Sequence, residues 1–244
     1  MLTILHRDEQ LIAIDKPAGL LVHRSDIDRH ETRFAVQALR DQVGRRVQPV
    51  HRLDKGTSGV LLFALDGEAS RGMAAQFERN EVAKTYLAVV RGWPPESGTI
   101  THPLSRTHDE YGNALAAAEP QSARTDFRRL AIVDWPCAVD RHPTSRYALV
   151  ALAPHTGRRH QLRRHLKHIA HPVVGDATHG KGVHNRFFRH EFGCHRLLLA
   201  CIALRFRHPR TGDPLTIRAP LGDRFAEICR RFGWGHVAVP DTPT

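Results

Sequence analysis

Short apolar runs broken by charged turns make up the N-terminal third of the chain. Leu2 to Leu5 and Leu11 to Ile14 are two such runs, split by charged residues, and predict a hairpin. Lys16-Pro17-Ala18-Gly19 ends the second. Val60 to Leu65 is apolar without interruption, as a strand covered on both faces would be. A helix is predicted from about Gly67, with Ala69, Met73 and Phe77 on one face and Asn80 near its end. Val82 to Val90 reads as the next strand, stopped by Gly92-Trp93-Pro94-Pro95. From Pro94 to about Ser122 the chain is rich in Gly, Pro and small polar residues, which predicts a long surface excursion. Thr125 to Val133 and Arg146 to Ala153 read as strands. A basic helix is predicted from about Thr156 to Ala170, closed by His171-Pro172. Leu197 to Phe206 is another apolar strand, joined by a turn at Arg210 to Pro214 to Leu215 to Arg218. A last amphipathic helix carries Phe225, Ile228 and Phe232, with Gly233 as its C-terminal cap.

Strands and short helices mix without a regular βαβ alternation. That favours an α+β fold on a mixed, largely antiparallel sheet. At 244 residues, 41% hydrophobic and 25% charged, the chain is an ordinary globular protein and is expected to form one domain over 1–244. It can bury a core without disulfides. Its longest apolar run, Leu197 to Leu204, is too short to cross a bilayer, so no membrane partner is expected. Cys137, Cys194, Cys201 and Cys229 lie far apart with no C-x-x-C pair; free thiols and a cytoplasmic setting are expected.

Charge changes the picture more than composition does. Lys and Arg outnumber Asp and Glu by 36 to 25, a formal +11, which points to a polyanion as partner. Aromatic residues are only 7%, which disfavours a broad base-stacking platform of the single-strand-binder type. Neither glycine-rich nucleotide loop is present.

The stretch with most chemical content is His51-Arg52-Leu53-Asp54-Lys55-Gly56-Thr57-Ser58-Gly59. It sets one carboxylate between two cations, in a polar turn directly before a buried strand. A turn held by a rigid strand is a common place for a catalytic group. The same Asp could instead simply close the turn through its own backbone.

This stretch resembles the H-R-L-D-x-x-T-S-G signature of the RluA-type family of RNA pseudouridine synthases, and Asp54 falls on its catalytic aspartate. Asp15-Lys16-Pro17-Ala18-Gly19 with Val22-His23, Lys84-Thr85-Tyr86, and Thr156 to His165 followed by His171-Pro172 and Gly175-Asp176 are similar to the family's other segments, in order. Val22-His23-Arg24, Gln161 to Leu166, His179-Gly180 and Phe232-Gly233-Trp234 are similar to a branch that modifies uridine 65 in the T-arm of tRNA. The resemblance implies the pseudouridine synthase fold around an active-site cleft, tRNA as partner, and no organic cofactor or metal. It implies Asp54 as the catalytic carboxylate, Arg163 as its ion-pair partner, and Tyr86 as a ring stacked on the extruded uracil. Phosphate contacts are expected from Arg52, Arg158, Arg159, Arg164 and Lys167. Lys16 and Lys84 are expected only to support loops. The S4-like RNA-binding module of some relatives is not expected, because no extension precedes Met1-Leu2-Thr3, and a monomer is the default. One departure is Leu199-Ala200-Cys201, where the family often has Leu-His-Ala.

Two other readings use the same residues. His165, His168 and His171 follow three-residue spacing, which could mark a metal-dependent hydrolase, although no H-E-x-x-H set is present. The basic charge would equally suit a non-catalytic RNA-binding protein.

Overall fold

The computed structural model describes residues 1–24, 30–105 and 119–238. Residues 106–118 of the excursion expected between Pro94 and Ser122 lie outside them. In chain order the elements are β1 (Thr3–Arg7), β2 (Leu11–Lys16), α1 (Ala35–Val43), β3 (Gln48–Pro49), β4 (Ser58–Ala64), α2 (Gly67–Glu78), β5 (Ala83–Arg91) and β6 (Ser97–Ile100). They continue with β7 (Thr125–Trp135), β8 (Ser145–Pro154), α3 (Gln161–His168), α4 (Gly182–Phe192), β9 (Leu199–Arg207), β10 (Pro214–Arg218) and α5 (Asp223–Arg231). The fold is α+β, as the pattern predicted. No helix among the described residues is long and apolar enough to cross a membrane.

The chain forms two compact units. The first comprises Met1–Lys84, Pro103–Gln121 and Cys201–Pro220. Here β1 and β2 form the expected hairpin, and β2 runs antiparallel to β4 from Leu11↔Ala64 to Lys16↔Gly59. All seven positions of β4 are buried, which is why its sequence shows no polar alternation. Leu11, Ile12, Ile14, Leu61, Leu62 and Phe63 are fully buried, each contributing about 1.5–3 kcal/mol of apolar burial. Helix α2 starts where the Asp66 carboxylate accepts the Ala69 N–H at 2.8 Å. Its Gln76 side chain grips the backbone of Arg207 in both directions, at 2.8 and 3.0 Å.

The second unit comprises Thr85–His102, Ser122–Ala200 and Leu221–Thr244. Its strands β5, β8, β7 and β6 pair in that order, each antiparallel to the next. Strand β6 lies within the segment expected to be a surface excursion. Ser97-Gly98 does not look strand-like, but a side chain at Gly98 would meet the Phe127 ring at 2.9 Å, so glycine is what admits the neighbouring strand. Helix α4 carries Phe188 and Phe192 into an aromatic cluster with Trp135, Tyr147, Phe232 and Trp234. It begins at Lys181 with no side-chain cap, which hides its start in the sequence.

The basic helix is shorter than its sequence suggests. It begins at Gln161, because His160 takes the left-handed conformation (φ 54°, ψ 24°). Residues 156–160 are a turn held by the Gln161 side chain, which accepts from Thr156 Oγ1 and from the Arg158 N–H. Ala170, at φ 65°, terminates it.

Candidate active site

Asp54 lies half-buried in a turn immediately before β4, where its carbonyl accepts the Thr57 N–H at 3.0 Å. Three features hold that turn. Lys16 is fully buried, and its ammonium donates to the carbonyls of Pro17 (3.0 Å), Leu20 (2.7 Å) and Lys55 (3.2 Å). The Gly19 N–H donates to the same Lys55 carbonyl at 2.8 Å. The loop-support role expected of Lys16 is therefore what its geometry provides. Beyond the turn, Gly59 sits at φ +107°, and a Cβ there would fall 2.0 Å from the Cys201 carbonyl oxygen. Only glycine lets β4 leave the turn at this point.

His51 is a neutral anchor. Its Nε2 accepts the Leu62 N–H at 3.1 Å, and its ring stacks on Phe77 at 5.1 Å. Burial, helped by the nearby Lys84 charge, pushes the imidazole down to about 3. Of the two cations flanking Asp54, Arg52 is exposed, whereas Lys55 pairs with Glu31 at 2.9 Å. Burial and the Arg52 charge together hold His23 below the usual imidazole range.

In the second unit Tyr86 lies on β5 opposite Leu152 and is 9% exposed. Arg163 is buried on α3 and forks onto Asp176, with Nε to Oδ2 and Nη2 to Oδ1 both at 2.7 Å. Asp176 Oδ1 also accepts the N–H groups of Thr178 (2.9 Å) and His179 (2.8 Å). Burial alone would raise this carboxyl. The Arg163 bonds and the two amides outweigh it and hold the acid below its ordinary range. The loop is fixed further by Asn185, which accepts the Gly175 N–H and donates to the Asp176 carbonyl, both at 2.8 Å.

In the sequence Asp176 stands out only as part of the Gly175-Asp176 pair, without a role. The signal was available: the segment 156–171 contains five cations and no acid. Its buried arginine had to find a carboxylate elsewhere.

The remaining predicted cations divide by location. Arg158 and Arg159 belong to the turn before α3, not to a helix; Arg158 is half-buried, with Nε on the Ser122 carbonyl at 3.2 Å, and Arg159 is exposed. Arg164 (half-buried) and Lys167 (exposed) lie on α3 itself. Behind them, Gln161 and His165 tie the helix to β7. Gln161 Nε2 donates to Thr125 Oγ1 at 3.0 Å, and His165 Nδ1 meets the same hydroxyl at 2.9 Å. The other ring nitrogen of His165 contacts the His102 carbonyl at 2.9 Å.

The three histidines that suggested a metal site do not converge. His165 is committed to Thr125 and the His102 carbonyl, His168 stacks on His102, and His171 Nδ1 bonds the Arg91 carbonyl. Among the described residues no group of three or more His, Cys, Asp or Glu side chains is placed to hold a metal ion.

Residues 10–168 match the model of a family described as RNA pseudouridylate synthase. The tRNA pseudouridine synthase C of Vibrio cholerae is 49% identical over 96% of this chain and 97% of its own length. The protein of the same name from Vibrio vulnificus is 48% identical over 96% of both. Among solved structures, human RNA Pseudouridylate Synthase Domain Containing 1 superposes with a TM-score of 0.70 at 26% identity, over 90% of this chain and 83% of that one.

Proposed function

The chain belongs to the RNA pseudouridylate synthase family, and on that premise we propose that it isomerises uridine 65 in the T-arm of tRNA, with Asp54 as the acting carboxylate. The observation that carries this reading is the mount of Asp54. A half-buried acid rests on a turn gripped by a buried ammonium, two backbone amides and an obligatory glycine.

The reaction breaks the N1–C1′ bond, turns the uracil, and joins C5 to C1′; the proton lost from C5 is balanced by one gained at N1. No redox change occurs, and the reading needs no cofactor. A carboxylate can form an ester at C1′, add to C6, or support a sugar cation while C2′ gives up its proton. Each route needs an ionised acid that does not move.

In this reading Arg163 has the ion-pair role that the resemblance implies, and Tyr86 supplies a ring for the uracil. Arg52, Arg158, Arg159, Arg164 and Lys167 take phosphates, offsetting the few kcal/mol spent in turning the nucleotide out of its stack. The reading takes residues 1–244 as one catalytic domain, acting as a monomer in the cytoplasm.

Pseudouridine mapping in cellular RNA with and without this protein tests the assignment. Loss at one T-arm position is expected; loss confined to ribosomal RNA would reject the tRNA reading. Asp54→Asn should bind tRNA and form no product, whereas retained turnover would remove Asp54 from the mechanism.

A further inference from the structure

Beside the arginines of the basic helix lies a second kind of surface. The rings of His102 and His168 stack face to face, with centroids 3.8 Å apart and planes 11° from parallel, and both residues are exposed. The backbone beneath both rings is held in place. His165, fully buried one turn before His168, holds the His102 carbonyl with its own ring nitrogen at 2.9 Å. Its second nitrogen meets Thr125, so helix α3 and the end of the β6 segment are locked where the two rings meet.

Arg164 precedes His168 by four residues and therefore shares its helix face. Partial desolvation, with further contributions from His168 and Arg164, holds the His102 imidazole below its usual range.

We propose that the outward face of the His102–His168 pair is a stacking seat for an unpaired nucleobase of the RNA substrate, with Arg164 and Lys167 meeting the adjoining phosphate. The inference rests on the reading that this chain acts on RNA. It deepens that reading by naming a contact separate from the target uracil.

A planar, exposed ring pair flanked by cations complements a ligand that joins a flat aromatic group to an anion. A nucleotide has both. A base inside an A-form duplex has its faces covered by neighbours, so the seat suits a loop, a junction or a nucleotide displaced when the target is turned out. A composition count of Phe, Trp and Tyr overlooks such a seat, because its rings are histidines.

The test compares the full-length protein with His102→Ala/His168→Ala, His102→Phe/His168→Phe and His102→Lys/His168→Lys, reading Kd and KM for unmodified tRNA transcripts. Stacking on one base contributes about tenfold or more in affinity. The Ala pair is expected to raise Kd and KM together by about tenfold, with the loss falling on KM rather than kcat, and the Phe pair to return both to within about twofold of the parent. An Ala pair that binds like the parent overturns the proposal. So does a Phe pair as weak as the Ala pair, and recovery in the Lys pair alone would show a charge contact instead. Should the double Ala variant unfold, His168→Ala against His168→Phe gives the same contrast with the His102 carbonyl bond left intact. Binding is read whether or not product forms, so a parent protein that makes no pseudouridine would sink the proposed activity and leave this contrast to be judged separately.

Discussion

Arg163 and Asp176 meet as a two-bond fork whose side chains are 9% and 0% exposed. In that setting the pair is worth less than its Coulomb attraction suggests, but either partner left alone is costly. Asp176→Ala should therefore cost about 3–5 kcal/mol in denaturant unfolding. Asp176→Asn, which keeps the shape and one acceptor oxygen, should cost less, and Arg163→Lys should not restore the fork. An Asp176→Ala protein within about 1 kcal/mol of the parent would mean that the guanidinium is not held by this acid.

Gly59 and Gly157 give a paired test of backbone demand. A methyl group on Gly59 would lie 2.0 Å from a carbonyl oxygen at a left-handed φ, whereas one on Gly157 meets nothing within 4 Å. Gly59→Ala should destabilise by roughly 3 kcal/mol or more, while Gly157→Ala should stay within about 0.5 kcal/mol. Equal thermal midpoints for the two variants would contradict the crowding at Cys201.

His51 should shape the acid limb of stability. Folding pushes its pKa down to about 3, against an ordinary 6.5. Above the ordinary value neither state binds the proton and its contribution is complete. As pH falls from 6.5 toward 3, only the unfolded chain takes the proton, so stability drops, by a total on the order of 4 kcal/mol. His51→Gln keeps an acceptor for the Leu62 N–H without titrating, and should flatten this limb. An unchanged profile between pH 6.5 and 3 would assign the slope to other groups.

Tyr86 separates stacking from acid–base chemistry. If the ring seats the uracil, Tyr86→Phe retains most product formation and Tyr86→Ala loses about tenfold to a hundredfold. A Phe variant as inactive as the Ala variant would move the role to the hydroxyl.

How much of this was legible in the sequence depends on where each element gets its stability. Strand β4 and the β1–β2 hairpin declare themselves because their burial is written in uninterrupted or paired apolar runs. Helix α4 leaves little trace in the sequence because it lacks a capping side chain and its apolar positions sit among His, Asn, Arg and Glu; the aromatic cluster that stabilises it is assembled from distant segments. The predicted start of α3 lies five residues before the observed one, because a left-handed histidine at position 160 leaves no compositional trace. At the candidate site, the roles of Asp54, Tyr86 and Arg163 come from the family resemblance, not from periodicity or charge. For Arg163 the resemblance implies Asp54 as partner; the acid-free segment shows that a carboxylate must come from elsewhere, but not that it is Asp176, since the contact between residues 163 and 176 depends on how a loop folds back.

The three-carbonyl grip of Lys16 carries a lesson for transplantation. Its ammonium joins two stretches nearly forty residues apart, so the nine residues around Asp54 are not a portable cassette. Moved into a foreign scaffold without the Lys-Pro-x-Gly turn, they would bring the acid but leave its fastening behind. A designer would have to copy both stretches and their spacing, or invent another cation to stand beneath the turn.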